Sequence, residues 1–327
     1  QSKCQRNGPA GGTGMNDAAP AATTTKRLPP SPCVGICTMN DDAGLCTGCG
    51  RDRNEITNWI SLDDDQKVAI WNALPGRMAQ LGATSFRLAP EPDQIAAFVR
   101  ETLDHRAGRW VMGSTGASAS FDAKEIVDVS EDTDWVTGRA EDGHGVRVKK
   151  HDRMRAFGLT LGDEQKRMMA VALVIPRGRA KLDQNESVTV VGPDENAIDP
   201  TKRSATLTDL ATGRTYSRVL LRTCEAENNN EVKPFLVQSP DEVTDQVLPL
   251  LNRADFIVET ALGRIESNRS DTIELVTSHV DQEVDADGNL KPAELDGFDD
   301  IQLSRAFAIG AVFRAHDPDW LVGRLTP

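Results

Sequence analysis

The chain has 327 residues, 39% of them hydrophobic and 27% charged, with a formal net charge of −13. That length accommodates two domains, or one large domain with a small appendage. The acidic balance repels phosphate backbones and argues against nonspecific nucleic-acid binding; no run approaches the roughly eighteen apolar residues of a membrane span.

Residues 1–14, QSKCQRNGPAGGTG, precede the first methionine, Met15, and read as an addition ahead of the natural start. They lack the apolar core of a secretory signal, and Cys4 lacks the apolar run that precedes a lipid-anchored cysteine. A cytoplasmic location is therefore expected. Residues 1–30 are rich in Gly, Ala, Thr and Pro, bury too little to offset ordering entropy, and read as disordered.

A four-cysteine segment follows, then two short helical patterns. Ile56, Trp59 and Ile60 fall on one face of the first. The second has Ser61 as a candidate cap with Asp64 at the capping-box position, and an apolar face of Leu62, Val68, Trp71 and Leu74 that Pro75 stops or kinks. This small domain is expected over residues 31–82, with a linker over 83–92. The stripe Ile95, Phe98, Val99 and Leu103 predicts a helix from about Asp93 to His105.

Beyond Trp110 the pattern changes to short apolar segments separated by Gly and Asp clusters, among them DWVTGRA, GVRVKK, MMAVALVIP, SVTVVG, YSRVLLRT, FIVET and GRIES. These are strand signals at antiparallel spacing. Ser239 and Pro240 start one further helix bearing Val243, Val247, Leu250 and Leu251, and RAFAIGAVFRA reads as a last strand or a buried helix. The expected class is α+β: a small Cys4 metal knuckle with two short helices, then a larger, mainly antiparallel sheet domain over residues 93–327 with a few helices.

Cys33, Cys37, Cys46 and Cys49 are spaced C-x3-C-x8-C-x2-C. Two cysteine pairs on small loops can wrap four thiolates around one ion in tetrahedral geometry. Gly35, Gly48 and Gly50 lie where the loops must turn sharply and aim amide hydrogens at sulfur. A domain of about fifty residues is also near the size at which a metal or disulfides become necessary. Disulfides would be the alternative, which a reducing cytoplasm disfavours. Spacing favours Zn2+ over an iron–sulfur cluster, whose common runs bring three cysteines closer together.

The strings SPCVGIC, GLCTGCGR, EITNWISL and AIWNALPGRMAQLG, within residues 31–82, resemble a small four-cysteine bacterial family of unknown function catalogued as predicted iron–sulfur proteins. The resemblance implies that all four cysteines are ligands and adds an iron–sulfur cluster as the alternative cofactor. Over residues 93–320, WVMGSTGASASF, VALVIP, VVGPDENAIDP, LTDLATG and ALGRIE are similar, more diffusely, to an uncharacterised proteobacterial domain. That likeness implies a fold and no chemistry.

Other candidates are plainer. Glu283–Glu294, EVDADGNLKPAE, follows a calcium-loop template with Glu in place of Asp at the first position, and an acidic turn is the simpler reading. The cluster Arg147, Lys149, Lys150, Arg153, Arg155 reads as a solvated face. His105, His144, His151, His279 and His316 are scattered, although the seven-residue spacing of His144 and His151 around a Gly-rich turn would let them meet across a hairpin, and Cys224 reads as a buried structural thiol. Phosphate-loop, dinucleotide, H-E-x-x-H and nucleophile-elbow motifs are absent. The expected function is a metal-binding accessory or interaction protein with an unidentified protein partner; Trp59 or Trp71 could form a docking face, although filling the small core is the simpler reading of both. An iron–sulfur electron-transfer or redox-sensing protein is the first alternative. An enzyme with its site near His144, His151 or His279 is the second.

Overall fold

A computed structural model describes residues 30–35, 37–114, 117–160, 168–183, 185–212, 215–223, 254–268, 272–275 and 306–325. Several sequence expectations lie outside them: Cys4, Cys224, His279, the Ser239–Leu251 helix and the Glu283–Glu294 loop.

In chain order, β1 (Met39–Asn40) and β2 (Leu45–Cys46) form a small hairpin, followed by α1 (Arg53–Asn58) and α2 (Asp64–Gln80). Both helices begin with reciprocal capping boxes, Asp52 with Glu55 and Asp63 with Gln66. The expected Ser61–Asp64 cap is thus displaced by two residues. Ser61 closes a 3₁₀ turn with Trp59 and Ile60 instead, and Ile60 points into solvent at 94% exposure. Pro75 neither stops nor divides α2, which runs through it to Gln80.

Residues 83–92 are not a free linker. β3 (Ser85–Arg87) lies within them, followed by α3 (Pro92–Asp104). The chain continues through β4 (Gly108–Ser114), β5 (Ala117–Asp122), β6 (Ile126–Glu131), β7 (Trp135–Ala140), β8 (Gly145–Lys149), β9 (Arg155–Leu159) and β10 (Ala170–Pro176). A short α4 (Arg177–Ala180) precedes β11 (Thr189–Pro193), β12 (Thr206–Asp209), β13 (Ser217–Thr223), β14 (Asp255–Thr260), β15 (Gly263–Ser267), β16 (Ile273–Leu275) and β17 (Phe307–Ala315). The RAFAIGAVFRA segment is therefore a strand.

Two antiparallel sheets result. One has the order β16-β5-β4-β17-β10-β9-β3, the other β11-β12-β13-β14-β15-β8-β7-β6. The fold is α+β, a small helical N-terminal part leading into a large sheet domain. The seven-stranded sheet takes β3 as its edge, with Phe86 opposite Gly158 of β9.

Alternation along the strands explains the layering. On β10, Val171, Leu173 and Ile175 join the main core, while Ala170, Ala172 and Val174 belong to a second cluster on the opposite face. A central strand buried on both sides reads as a continuous apolar run, which is how AVALVIP appears in the sequence. The main core lies between the sheets. Trp110, Met112 and Phe313 of one meet Val219, Phe256 and Ile265 of the other, and Ile95, Phe98 and Leu103 of α3 extend it.

Candidate functional site

The four cysteines occupy two differently built loops. Cys46 ends β2 and is fully buried. Its amide donates to the Arg51 carbonyl, and its carbonyl accepts from the Gly50 amide, each at 2.8 Å, closing a tight turn that contains Cys49. Gly50 adopts φ +70°, a left-handed conformation that disfavours any side chain. Arg51 Nε donates to Cys49 Sγ at 3.4 Å. Burial pushes the Cys49 thiol pKa up, and the neighbouring Arg51 only partly offsets it.

Cys33 and Cys37 are exposed. Gly35, at φ +82°, turns the chain so that its amide donates to Cys33 Sγ at 3.4 Å. This loop is anchored from behind by long-range contacts. Trp71 Nε1 on α2 donates to the Pro30 carbonyl at 2.9 Å, and Arg87 Nη1 on β3 donates to the Ser31 and Cys33 carbonyls at 2.6 and 3.1 Å. Val34 packs into the apolar cluster on the outer face of the seven-stranded sheet. Among the described residues, no three of His, Cys, Asp or Glu are drawn together closely enough to hold a metal ion. The donor types and the sulfur-directed N–H groups suit a thiolate-bound ion, although fewer than three of the sulfurs are gathered at one point.

Trp71 is not a docking face. It is 3% exposed and fills a small core with Ile70, Leu74 and Ala89, on which Trp59 packs. Arg51 lies over the Trp59 ring with its guanidinium carbon 4.9 Å from the centroid, and Arg87 lies 5.9 Å from that of Trp71. Arg87 is deeply buried, and its Nε has no hydrogen-bond partner among the described residues. Burial lowers its pKa to about 10. Arg77 on α2 clamps the region by donating to both Glu55 oxygens, at 2.6 and 3.0 Å, and to the Gly50 carbonyl at 3.3 Å.

Among the described residues, the histidines do not gather into a cluster. His144 and His151 flank opposite ends of β8, a five-residue strand, and are separated by on the order of 15 Å or more at ordinary strand rise. His151 pairs with neighbouring Asp152, and His316 with Asp122. His105 contacts the Glu101 carbonyl. The basic cluster dissolves as well: Arg147 lies on β8 and Arg155 on β9, which belong to different sheets. Arg147 is buried and bonds the Asn196 carbonyl at 2.9 Å.

One grouping is illegible in the sequence: a buried ionic network on the outer face of the eight-stranded sheet. Arg264 grips both oxygens of Asp194 at 2.8 and 2.9 Å. Arg222 donates to Asp194 at 2.6 Å, to Asp255 at 2.9 Å, and to Glu266. Lys202 Nζ and His144 Nε2 reach Asp255, each at 2.8 Å. The Ile198 amide donates to Glu266 at 3.0 Å, so the segment 194–202 is pinned across the sheet. Three carboxylates (Asp194, Asp255, Glu266) thus face three permanent cations (Lys202, Arg222, Arg264).

Burial would push the Asp255 carboxyl up, but His144, Lys202 and Arg222 hold it well below the usual range. Burial would likewise lower the His144 pKa, yet the carboxylates of Asp142 and Asp255 outweigh it and the net shift is upward. Asp142 Oδ2 sits 3.0 Å from His144 Nδ1, though out of line for a hydrogen bond. The network is nearly closed on itself, each of its three carboxylates meeting at least one of the three cations.

Residues 94–274 match the model described as "Family of unknown function (DUF6925)", and residues 31–78 match "Protein of unknown function (DUF1289)". The "Uncharacterized protein YdhL" of Escherichia coli (strain K12) is 38% identical over 69 residues, which is 21% of this chain and 86% of that protein. The protein of the same name from Shigella flexneri matches to the same extent. No solved structure matches. The chain belongs to the DUF6925 family of unknown function, whose model covers more than half of it, and a DUF1289 match lies in front of that region.

Proposed function

We propose that Cys33, Cys37, Cys46 and Cys49 bind one metal centre, Zn2+ on grounds of spacing, and that the chain is a cytoplasmic metal-binding accessory or interaction protein. The carrying observation is that each cysteine pair has an N–H group aimed at sulfur beside a left-handed glycine: Gly35 on Cys33, Arg51 on Cys49. Such donors stabilise thiolate charge, and second-shell donors of this kind accompany metal-bound ligands. Closure requires the exposed Cys33–Cys37 loop to bring its sulfurs toward the buried Cys46–Cys49 turn. When bound, the ion would supply a cross-link between these loops. Trp71 and Arg87 anchor the Cys33 loop, and the Gly50–Cys46 main-chain bond holds the Cys46–Cys49 turn.

The test is metal analysis with an absorption spectrum on full-length protein purified without oxygen. One zinc per chain with no visible band supports the reading. Iron with acid-labile sulfide and a visible charge-transfer band would keep the four ligands but replace zinc by a cluster, and the accessory role by a redox one. A chain that holds neither zinc nor iron after reconstitution, with four freely reactive thiols, would overturn it.

A further inference from the structure

Among the described residues, five arginines are buried: Arg51, Arg87, Arg147, Arg222 and Arg264. Three of them face carboxylates within ion-pair distance, Arg147 with Asp132, and Arg222 and Arg264 within the outer-face network. Arg51 and Arg87 face none among the described residues; their polar contacts are a sulfur and two main-chain carbonyls. Glu91 acts on Arg87 only from beyond ion-pair distance. A buried cation without an anion is costly, and proteins pair such charges or neutralise them. Both arginines lie against the cysteine loops, one on each pair: Arg51 on Cys49, Arg87 on Cys33.

We propose that Arg51 and Arg87 are the counter-cations of the cysteine centre. This rests on the reading of the four cysteines as metal ligands. A divalent ion held by four thiolates carries two net negative charges, and two guanidiniums supply two positive ones. The missing partner of the buried arginines is then the metal–thiolate complex itself. Their positions differ in consequence. Arg51 belongs to the Cys46–Cys49 turn, whereas Arg87 sits on β3 at the edge of the seven-stranded sheet. Arg87 therefore joins the centre to the sandwich, and Arg51 acts within the knuckle. Both are positioning residues; neither is a ligand.

The experiment loads the full chain with Zn2+ and follows transfer of the metal to a chromophoric chelator of known affinity. The variants are R51M, R87M, R51K, R87K and the exposed control R53M. R51M and R87M are expected to bind Zn2+ about 10–100-fold more weakly, the range for lost second-shell partners. R51K should recover most of the loss, because charge is retained; R87K should recover less, because an ammonium loses the planar guanidinium's contact with the Trp71 ring. R53M should match the parent. Should a methionine variant fail to fold, R51Q and R87Q carry the same test, being neutral but still able to donate. A parent that binds one Zn2+ while the Met or Gln variants bind it equally well overturns this proposal and leaves the metal reading standing. A parent that binds no Zn2+ and no iron removes the metal reading itself.

Discussion

The sandwich and the knuckle solve the problem of buried charge in opposite ways. On the outer face of the eight-stranded sheet, each of the central cations meets a carboxylate, and the main chain of segment 194–202 is pinned by the same groups. In the cysteine region the buried arginines meet sulfur and carbonyl oxygen and no carboxylate among the described residues. The apolar support differs too. The sandwich has a core continuous between two sheets and α3, whereas the knuckle has a few side chains around Trp71 and one anchor, Val34, on the sheet. One region is complete by its own side chains; the other is arranged as though an anion were part of it.

The largest effect should come from breaking the complete region. Arg222→Ala leaves Asp194, Asp255 and Glu266 short of a cation in a buried site, at an expected cost of about 3–5 kcal/mol. A lowered urea midpoint with an unchanged slope would register it; a change below about 1 kcal/mol would mean that the network is solvated and the contrast false.

His144 sharpens the same point through pH. Its folded-state pKa lies above the ordinary histidine value of about 6.5, so its proton stabilises the fold below that value, and the contribution is lost as pH rises through the folded pKa. His144→Gln should therefore cost about 2 kcal/mol at pH 6, as expected for a hydrogen bond to a charged group, and less at pH 8. A cost independent of pH would show that the ring does not titrate in this window. Toward the acid end, Asp142 is lowered to about 2, chiefly by His144, so its contribution is present above the ordinary carboxylate range and fades as pH falls toward 2.

A milder change probes the sparse region. Trp71→Phe keeps most of the ring but deletes the indole donor to the Pro30 carbonyl, at about 1 kcal/mol. Hydrogen exchange should quicken at the Ser31, Cys33 and Gly35 amides while β10 stays protected. Equal quickening in both places would mean that knuckle and sandwich open as one unit. Smallest, Asp63→Ala removes the α2 capping box and should lower stability by about 0.5–1 kcal/mol, read as a shift in the melting temperature.

The features legible in the sequence are those set by neighbours along the chain. The α3 stripe, the apolar run of β10 and the α+β class follow from local periodicity, and four cysteines within seventeen positions mark a candidate metal site without any fold in hand. Capping boxes are local as well, but several acidic residues compete around Ser61–Asp65, and only packing selects Asp63. Pro75 remained ambiguous for a related reason. Proline disfavours a helix interior by a few kcal/mol, and α2 continues because Trp71, Leu74 and Met78 are buried along it.

What tertiary structure alone decided concerns pairs far apart in the chain. Residues 83–92 carry the turn-like composition of a linker, yet Ser85–Arg87 becomes a sheet edge because β9, about seventy residues on, offers it unpaired main-chain groups. Arg222, Asp194, Asp255 and Glu266 each look like an ordinary strand or loop charge; their network exists only because β13, β14 and β15 are neighbours and segment 194–202 lies across them. Likewise, the spacing of the cysteines nominates the ligands, but Arg87 reaches Cys33 from a strand more than fifty positions away. Sequence determines short-range conformation because backbone sterics and side-chain period act over a few residues. The placement of buried charge depends on which distant strands exclude water together, and that is a property of the fold.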